Sequence, residues 1–367
     1  MPVPNPERYD VRALSCGRDH TLVLLSSGKA IGWGGDGSGR VPAPTLEYCT
    51  TPAPTAAVEV LSRDPLEAVS AGDGVSLGVT SGRKVTTWGA NGAGIDGVIG
   101  AVIPATPLAI AQLSDIVTAA AGEFQCAAVD DEGRVFTWGL NLDGALGRRE
   151  AAFEGGPARV ADLPAVESVA VGKGFMLARA REGEVYAWGS NAAGQLGVGH
   201  LQGVATPARV RFEGEIAAVC AGASHVVACT TAGDVLAWGS NNHGQLGRRE
   251  PAYSSIPLPL VFPERITQVA AGMYFSLALG ASGDVYAWGW NARGQLGLPG
   301  GDRAHPVRVP GLAKVTTIAA GQAHAVALTA KHVVGWGSNA AGQIAGAALI
   351  QAQPFELIAA NGDRRHA

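Results

Sequence analysis

Seven Trp-Gly pairs, opening at Trp33, Trp88, Trp138, Trp188, Trp238, Trp288 and Trp336, stand 55, 50, 50, 50, 50 and 48 residues apart. A period of that length marks one supersecondary unit made over and over, each copy too small to bury its own apolar face. The best copies run on into Asn-x-x-Gly-Gln-Leu-Gly, at residues 191–197, 241–247 and 291–297. Any fold for this chain has to stack seven such units.

The rest of each unit keeps step. Sixteen residues before six of the tryptophans stands a glycine closing a run of small residues: Gly17, Gly72, Gly122, Gly172, Gly222 and Gly272, with Gly321 fifteen before Trp336. Fifteen residues before the later glycines a proline opens a short apolar run, at Pro107, Pro157, Pro207, Pro257 and Pro306. Each unit thus holds four short apolar segments bounded by Gly, Pro or charge, the pattern of strands rather than helices. Seven units of four strands predict an all-β, seven-bladed β-propeller. Strands crowd at a propeller axis, so the small-residue strand is expected innermost. The proline-led strand, short of a backbone donor, is expected outermost. The Trp of each Trp-Gly is expected to wedge between blades.

The Gly-x-x-His, Val-Tyr-Ala-Trp-Gly and Asn-x-x-Gly-Gln-Leu-Gly signatures resemble those of the regulator of chromosome condensation repeat family, over about residues 11–359. The resemblance implies a seven-bladed propeller. For activity it implies less, because propellers host unrelated functions.

The same period sets the boundaries. Residues 1–10 are expected to be a flexible leader, 11–359 a single propeller and 360–367 a tail. The unit at Val11 has no proline-led strand before it, whereas Pro354-Phe-Glu-Leu-Ile358 follows the last Trp-Gly. The C-terminal strand is therefore expected to complete the N-terminal blade and close the ring, sheltering edge strands that an open array would expose. The stretch from Gly34 to Val60, with Pro42, Pro44, Pro52 and Pro54, reads as a surface loop. The unit after Trp88 is degenerate.

Bulk properties narrow the partners. A net charge of −4 argues against nucleic acid or an anionic membrane as the partner. The five cysteines, Cys16, Cys49, Cys126, Cys220 and Cys229, show no metal spacing and an odd count, which fits thiols in a reducing compartment. With no apolar leader or membrane-length run, the expected location is the cytoplasm. A monomer is expected.

Strand alternation puts the Gly-x-x-His turns and the Asn-x-x-Gly loops on one face, here called the top. Turns such as Asp131-Glu-Gly-Arg134 fall on the bottom. The top carries Arg18, Phe124, Lys173, Asn242, His243, Met273, Tyr274, Trp290 and Arg293, the candidate partner-binding residues. Aromatics beside arginine recur in protein interfaces. Trp290 stands out because the other units place Gly35, Ala90, Leu140, Ser190, Ser240 and Ser338 there.

Catalytic chemistry finds no foothold. His20, His225 and His324 fill a slot that holds Val75, Gln125, Phe175 or Phe275 elsewhere, which marks a packing position rather than a ligand or base. The other histidines lack zinc-like pairing, and there is no nucleophile elbow, Walker loop or independent carboxylate pair. Neither cofactor nor metal is expected. The sequence thus points to a non-enzymatic propeller presenting one loop face to a protein partner. The family resemblance raises an alternative, guanine-nucleotide exchange on a small GTPase by a wedge inserted from the propeller. A further one is inhibition of an enzyme, as in a similar bacterial propeller with shorter repeats.

Overall fold

A computed structural model describes residues 10–35, 58–89, 107–149, 154–330, 332–344 and 350–359. They form seven four-stranded antiparallel sheets, each made of four consecutive strands, and one 3-10 turn at Leu142–Gly144. Blade one comprises Val11–Cys16, His20–Leu25, Ala30–Gly34 and Val58–Val60. Blade six, a regular copy, comprises Ile266–Ala271, Phe275–Gly280, Val285–Gly289 and Arg303–Arg308. Residues 1–9 of the expected leader and the whole expected tail lie outside the described residues, as do residues 36–57 and 90–106.

The strand roles follow the chemistry. Small-residue strands are innermost, and the strands holding Pro157, Pro207, Pro257, Pro306 and Pro354 are outermost. Each inner strand carries one bulged residue near its start, such as Glu67 between Leu66 and Ala68 or Thr267 between Ile266 and Gln268. At their top ends neighbouring inner turns join through backbone hydrogen bonds. Met273 N–H donates to Gln322 O at 3.1 Å, and Gln322 N–H to Gly17 O at 3.1 Å.

The Trp-Gly and Gly-Gln-Leu-Gly signatures turn out to be two halves of one seam. Trp238 is fully buried, packs with Leu196, Phe175 and Val226, and donates from Nε1 to the Gln195 carbonyl of the preceding blade at 3.0 Å. Trp288 does the same to Gln245 at 2.8 Å and Trp336 to Gln295 at 2.9 Å. Gly197 must be glycine on two counts. Its φ is +69°, and a Cβ there would lie 2.7 Å from Trp238 Nε1. The Asn that opens each loop ties it together: Asn291 Oδ1 accepts from Leu296 N–H, while its Nδ2 donates to the carbonyls of Leu298 and Gly300.

Ring closure differs from the sequence expectation. Ile350–Ala359 hydrogen-bonds to His332–Ser338 and is the outer strand of blade seven, not of blade one, whose outer edge is Val58–Val60. Every blade runs from inner to outer strand in chain order, so a proline-led segment belongs to the blade before it in sequence. The ring closes by packing instead. Leu357 inserts beside Val11, Leu14 and Trp33 of blade one and also touches blade seven's own core. Thr21 Oγ1 donates to Gln343 O at 2.7 Å across the same seam.

This seam gives a first prediction. Leu357→Ala is expected to cost about 1–3 kcal/mol, less than a fully buried leucine because the side chain is only half-buried. Ending the chain after residue 349 removes that contact and the whole outer strand, and should lower the melting temperature further. If both variants melt with the full chain, Leu357 does not hold the seam.

Candidate functional site

The top face is built from two kinds of loop whose backbones are locked together. Trp290 N–H donates to Tyr274 O at 2.9 Å, tying the loop after the third strand to the inner turn, and Ser240 and Ser224 repeat the bond in blade five. That bond holds the side chains at positions 274 and 290 side by side. In blade six both are aromatic: the Tyr274 and Trp290 rings meet edge-on, 6.0 Å between centroids. The Asn-x-x-Gly loop of blade five leans over blade six, because Gly244 sits tight against Ala304. It carries His243 into the same cluster, 5.4 Å from Tyr274 and 6.0 Å from Trp290.

Asp302 anchors the group, with Oδ2 2.8 Å from His243 Nδ1 and Oδ1 accepting from Asn291 N–H at 2.9 Å. Sequence reasoning missed Asp302, since it lies in a loop of another blade and follows no repeat position. The three rings are half-buried, so each packs on its neighbours and still presents a face to solvent.

The nine candidate residues separate into two groups. Trp290, Tyr274 and His243 come together, with Met273 following on toward the axis and Asn242 and Arg293 exposed on the two adjoining loops. Arg18, Lys173 and Phe124 stand on blades one, four and three, away from the cluster. Arg18 pairs with Asp73 at 3.3 Å and Lys173 with Glu123 at 3.1 Å, so both cations are engaged on the axis rim. Phe124 packs on the core shared by blades two and three, with Val75, Ile116 and Trp138. It serves its own seam.

The histidines of the Gly-x-x-His slot pack across seams, as expected. His225 Nε2 lies 3.0 Å from Ser276 Oγ, and His324 Nε2 lies 3.0 Å from Thr21 Oγ1. Each hydroxyl spends its single hydrogen on a backbone carbonyl, of Gln245 and Gln343 respectively, so the imidazole must donate from Nε2. Burial pushes His225 down to about 4 and His324 down to about 3. Both are neutral structural donors at physiological pH. Among the described residues no group of His, Cys, Asp and Glu is placed to hold a metal ion. No disulfide joins Cys16, Cys126, Cys220 and Cys229, and burial pushes the Cys220 thiol up to about 12.

A sequence profile for the RCC1-like domain matches residues 99–358, and one for the RCC1 repeat matches residues 11–40. The crystal structure of human WBSCR16 superposes with a TM-score of 0.76 at 23% identity, covering 88% of this chain and 87% of that one. Prp20p from Saccharomyces cerevisiae, described with its binding to Gsp1p and histones, gives 0.75 at 22%, covering 95% and 87%. At these identities the likeness is one of fold. The mitochondrial RCC1 domain-containing protein RUG3 of Arabidopsis thaliana is 29% identical over 89 residues, which span 24% of this chain and only 19% of that protein.

Proposed function

Because the chain belongs to the RCC1-like domain family, we propose that it is a non-catalytic binding propeller that docks a protein partner on its top face, centred on blades five and six. The observation that carries this is the Trp290–Tyr274–His243 cluster. The repeat fills position 290 with small residues in most blades, so the framework does not need a tryptophan there. A residue that breaks the repeat without serving it is a candidate for function. The His243–Asp302 pair has aromatic rings rather than a hydroxyl or thiol against it, which favours recognition over nucleophilic chemistry. A reducing, cytoplasmic setting belongs to the same proposal and fits the thiol state of Cys16, Cys220 and Cys229. Guanine-nucleotide exchange is the alternative that the Prp20p likeness raises. The candidate for its wedge is the long Gly34–Val60 stretch, of which residues 36–57 lie outside the described residues.

The test begins with the partner captured by the full chain from native cells and identified by mass spectrometry. Titration should then show Trp290→Ala losing roughly 2 kcal/mol of binding or more, with a melting temperature close to the parent's. Normal binding by Trp290→Ala, together with loss on changing Arg134 and Arg181 on the bottom, would place the interface on the wrong face. Faster nucleotide release from a captured GTPase would favour the exchange reading.

A further inference from the structure

The sector around the aromatic cluster has a charge opposite to that of the chain as a whole. The chain carries a net −4. Yet the top loops of blades five and six present three arginines there, Arg249, Arg293 and Arg303, against two carboxylates, Glu250 and Asp302, while the Arg248 guanidinium turns down the blade to the Pro259 carbonyl. Asp302 is already committed to His243 and the Asn291 amide. None of these three has a carboxylate partner among the described residues. Arg303 caps the carbonyls of Gly301 at 2.8 Å and Asp302 at 3.2 Å, contacts that fix a guanidinium without neutralising it. Arg249 and Arg293 are exposed and make no side-chain hydrogen bond among the described residues. This contrasts with the axis rim, where Arg18 and Lys173 are paired with Asp73 and Glu123.

Apolar surface continues past the rings. Ile350, 44% exposed, heads the outer strand of blade seven, and its Cγ2 lies 3.4 Å from the place of a Cβ on Gly294, next to Arg293. Tyr253, 48% exposed, heads the outer strand of blade five. The sector therefore has aromatic and aliphatic contact area, flanked by free positive charge.

Resting on the docking function proposed above, we infer that this sector takes an acidic segment of a partner protein: an apolar or aromatic anchor seated on Trp290 and Tyr274, with flanking Asp or Glu side chains reaching Arg249 and Arg293. Guanidinium forks suit carboxylates bidentately, and uncommitted arginines at a rim steer an oppositely charged segment and fix its register.

The probe is a random peptide library panned on the intact protein. Enriched peptides should combine acidic residues with an apolar anchor, and their affinity should fall steeply as salt rises from about 0.05 to about 0.5 M. The Arg249→Glu/Arg293→Glu double variant should weaken the best peptide at least ten-fold. Arg63→Glu/Arg211→Glu, the same charge change on the bottom, should leave it within two-fold, and melting temperatures confirm that both variants fold. Enrichment of basic or uncharged peptides, no enrichment, or indifference to the Arg249/Arg293 reversal overturns the inference. If binding still needs Trp290 while the reversal is silent, docking on this face stands and the acidic partner falls. If nothing enriched depends on Trp290, the face itself was misassigned. Self-association of the parent that the reversal abolishes would assign the sector to a second copy of this chain instead.

Discussion

Acidification from pH 6.5 to 4.5 is expected to destabilise the propeller by roughly 2 kcal/mol for each of His225 and His324, because one pKa unit is worth about 1.4 kcal/mol. Both side chains have no solvent exposure, and burial disfavours their charged forms, holding His225 at about 4 and His324 at about 3. In the unfolded chain each takes up a proton near the ordinary histidine value, about 6.5. Between the folded and unfolded values the unfolded state binds more protons. The stability is therefore fully present above about pH 6.5 and is lost progressively as pH falls toward the folded values. Carboxylates act lower: Arg308 holds Asp284 below its usual range, so its contribution is lost only beneath the normal carboxylate pKa.

The effect can be isolated with the chain's own alternatives. Phe175 and Phe275 fill the same slot in blades four and six and are fully buried there. The His225→Phe/His324→Phe variant should thus fold at neutral pH and show a much flatter melting temperature from pH 6.5 to 4.5. If parent and variant fall in parallel across that window, the two histidines are not the source. His324 sits on the seam that closes the ring, between blades seven and one, so the closing seam is expected to open first.

How the sequence and the structure relate can be seen at this same seam. A repeat period reveals how many strands make a unit and which are small, apolar or proline-led. It does not say which strand opens a blade, because a period has no origin. Pro354–Ile358 could thus be given to blade one on sequence grounds, whereas antiparallel pairing in chain order gives it to blade seven. The Gly-x-x-His slot was legible as packing because Phe and Val stand in it elsewhere. Its acceptors Ser276 and Thr21 were not, since each belongs to the next blade around the ring. Likewise Trp290 and Tyr274 were legible as departures from the repeat. Their meeting with His243 and Asp302 depends on the tilt of one blade's loop over the next, which no spacing encodes.

Trp238→Ala is expected to cost roughly 3–5 kcal/mol of stability, the range for removing a large buried aromatic from a core. The ring is fully buried in the seam between blades four and five, against Leu196, Phe175 and Val226. Its loss also leaves the Gln195 carbonyl without its Nε1 donor. Gly197→Ala should reproduce the effect from the other side of the contact, because the new Cβ would need a φ of +69° and the space now held by Trp238 Nε1, 2.7 Å away. In a repeat array each blade touches mainly its neighbours, so the damage concentrates at one interface. Hydrogen exchange should therefore rise first in blades four and five, ahead of blades one and two. The contrast with Trp290 makes the experiment decisive. Two tryptophans, one Trp-Gly and one beside it, differ in that the first is required by every unit and the second by none. Chemical denaturation of Trp238→Ala, Gly197→Ala and Trp290→Ala in parallel reads that difference directly. Unchanged midpoints for the first two would mean that the Trp-Gly and Gly-Gln-Leu-Gly signatures are not the halves of one seam.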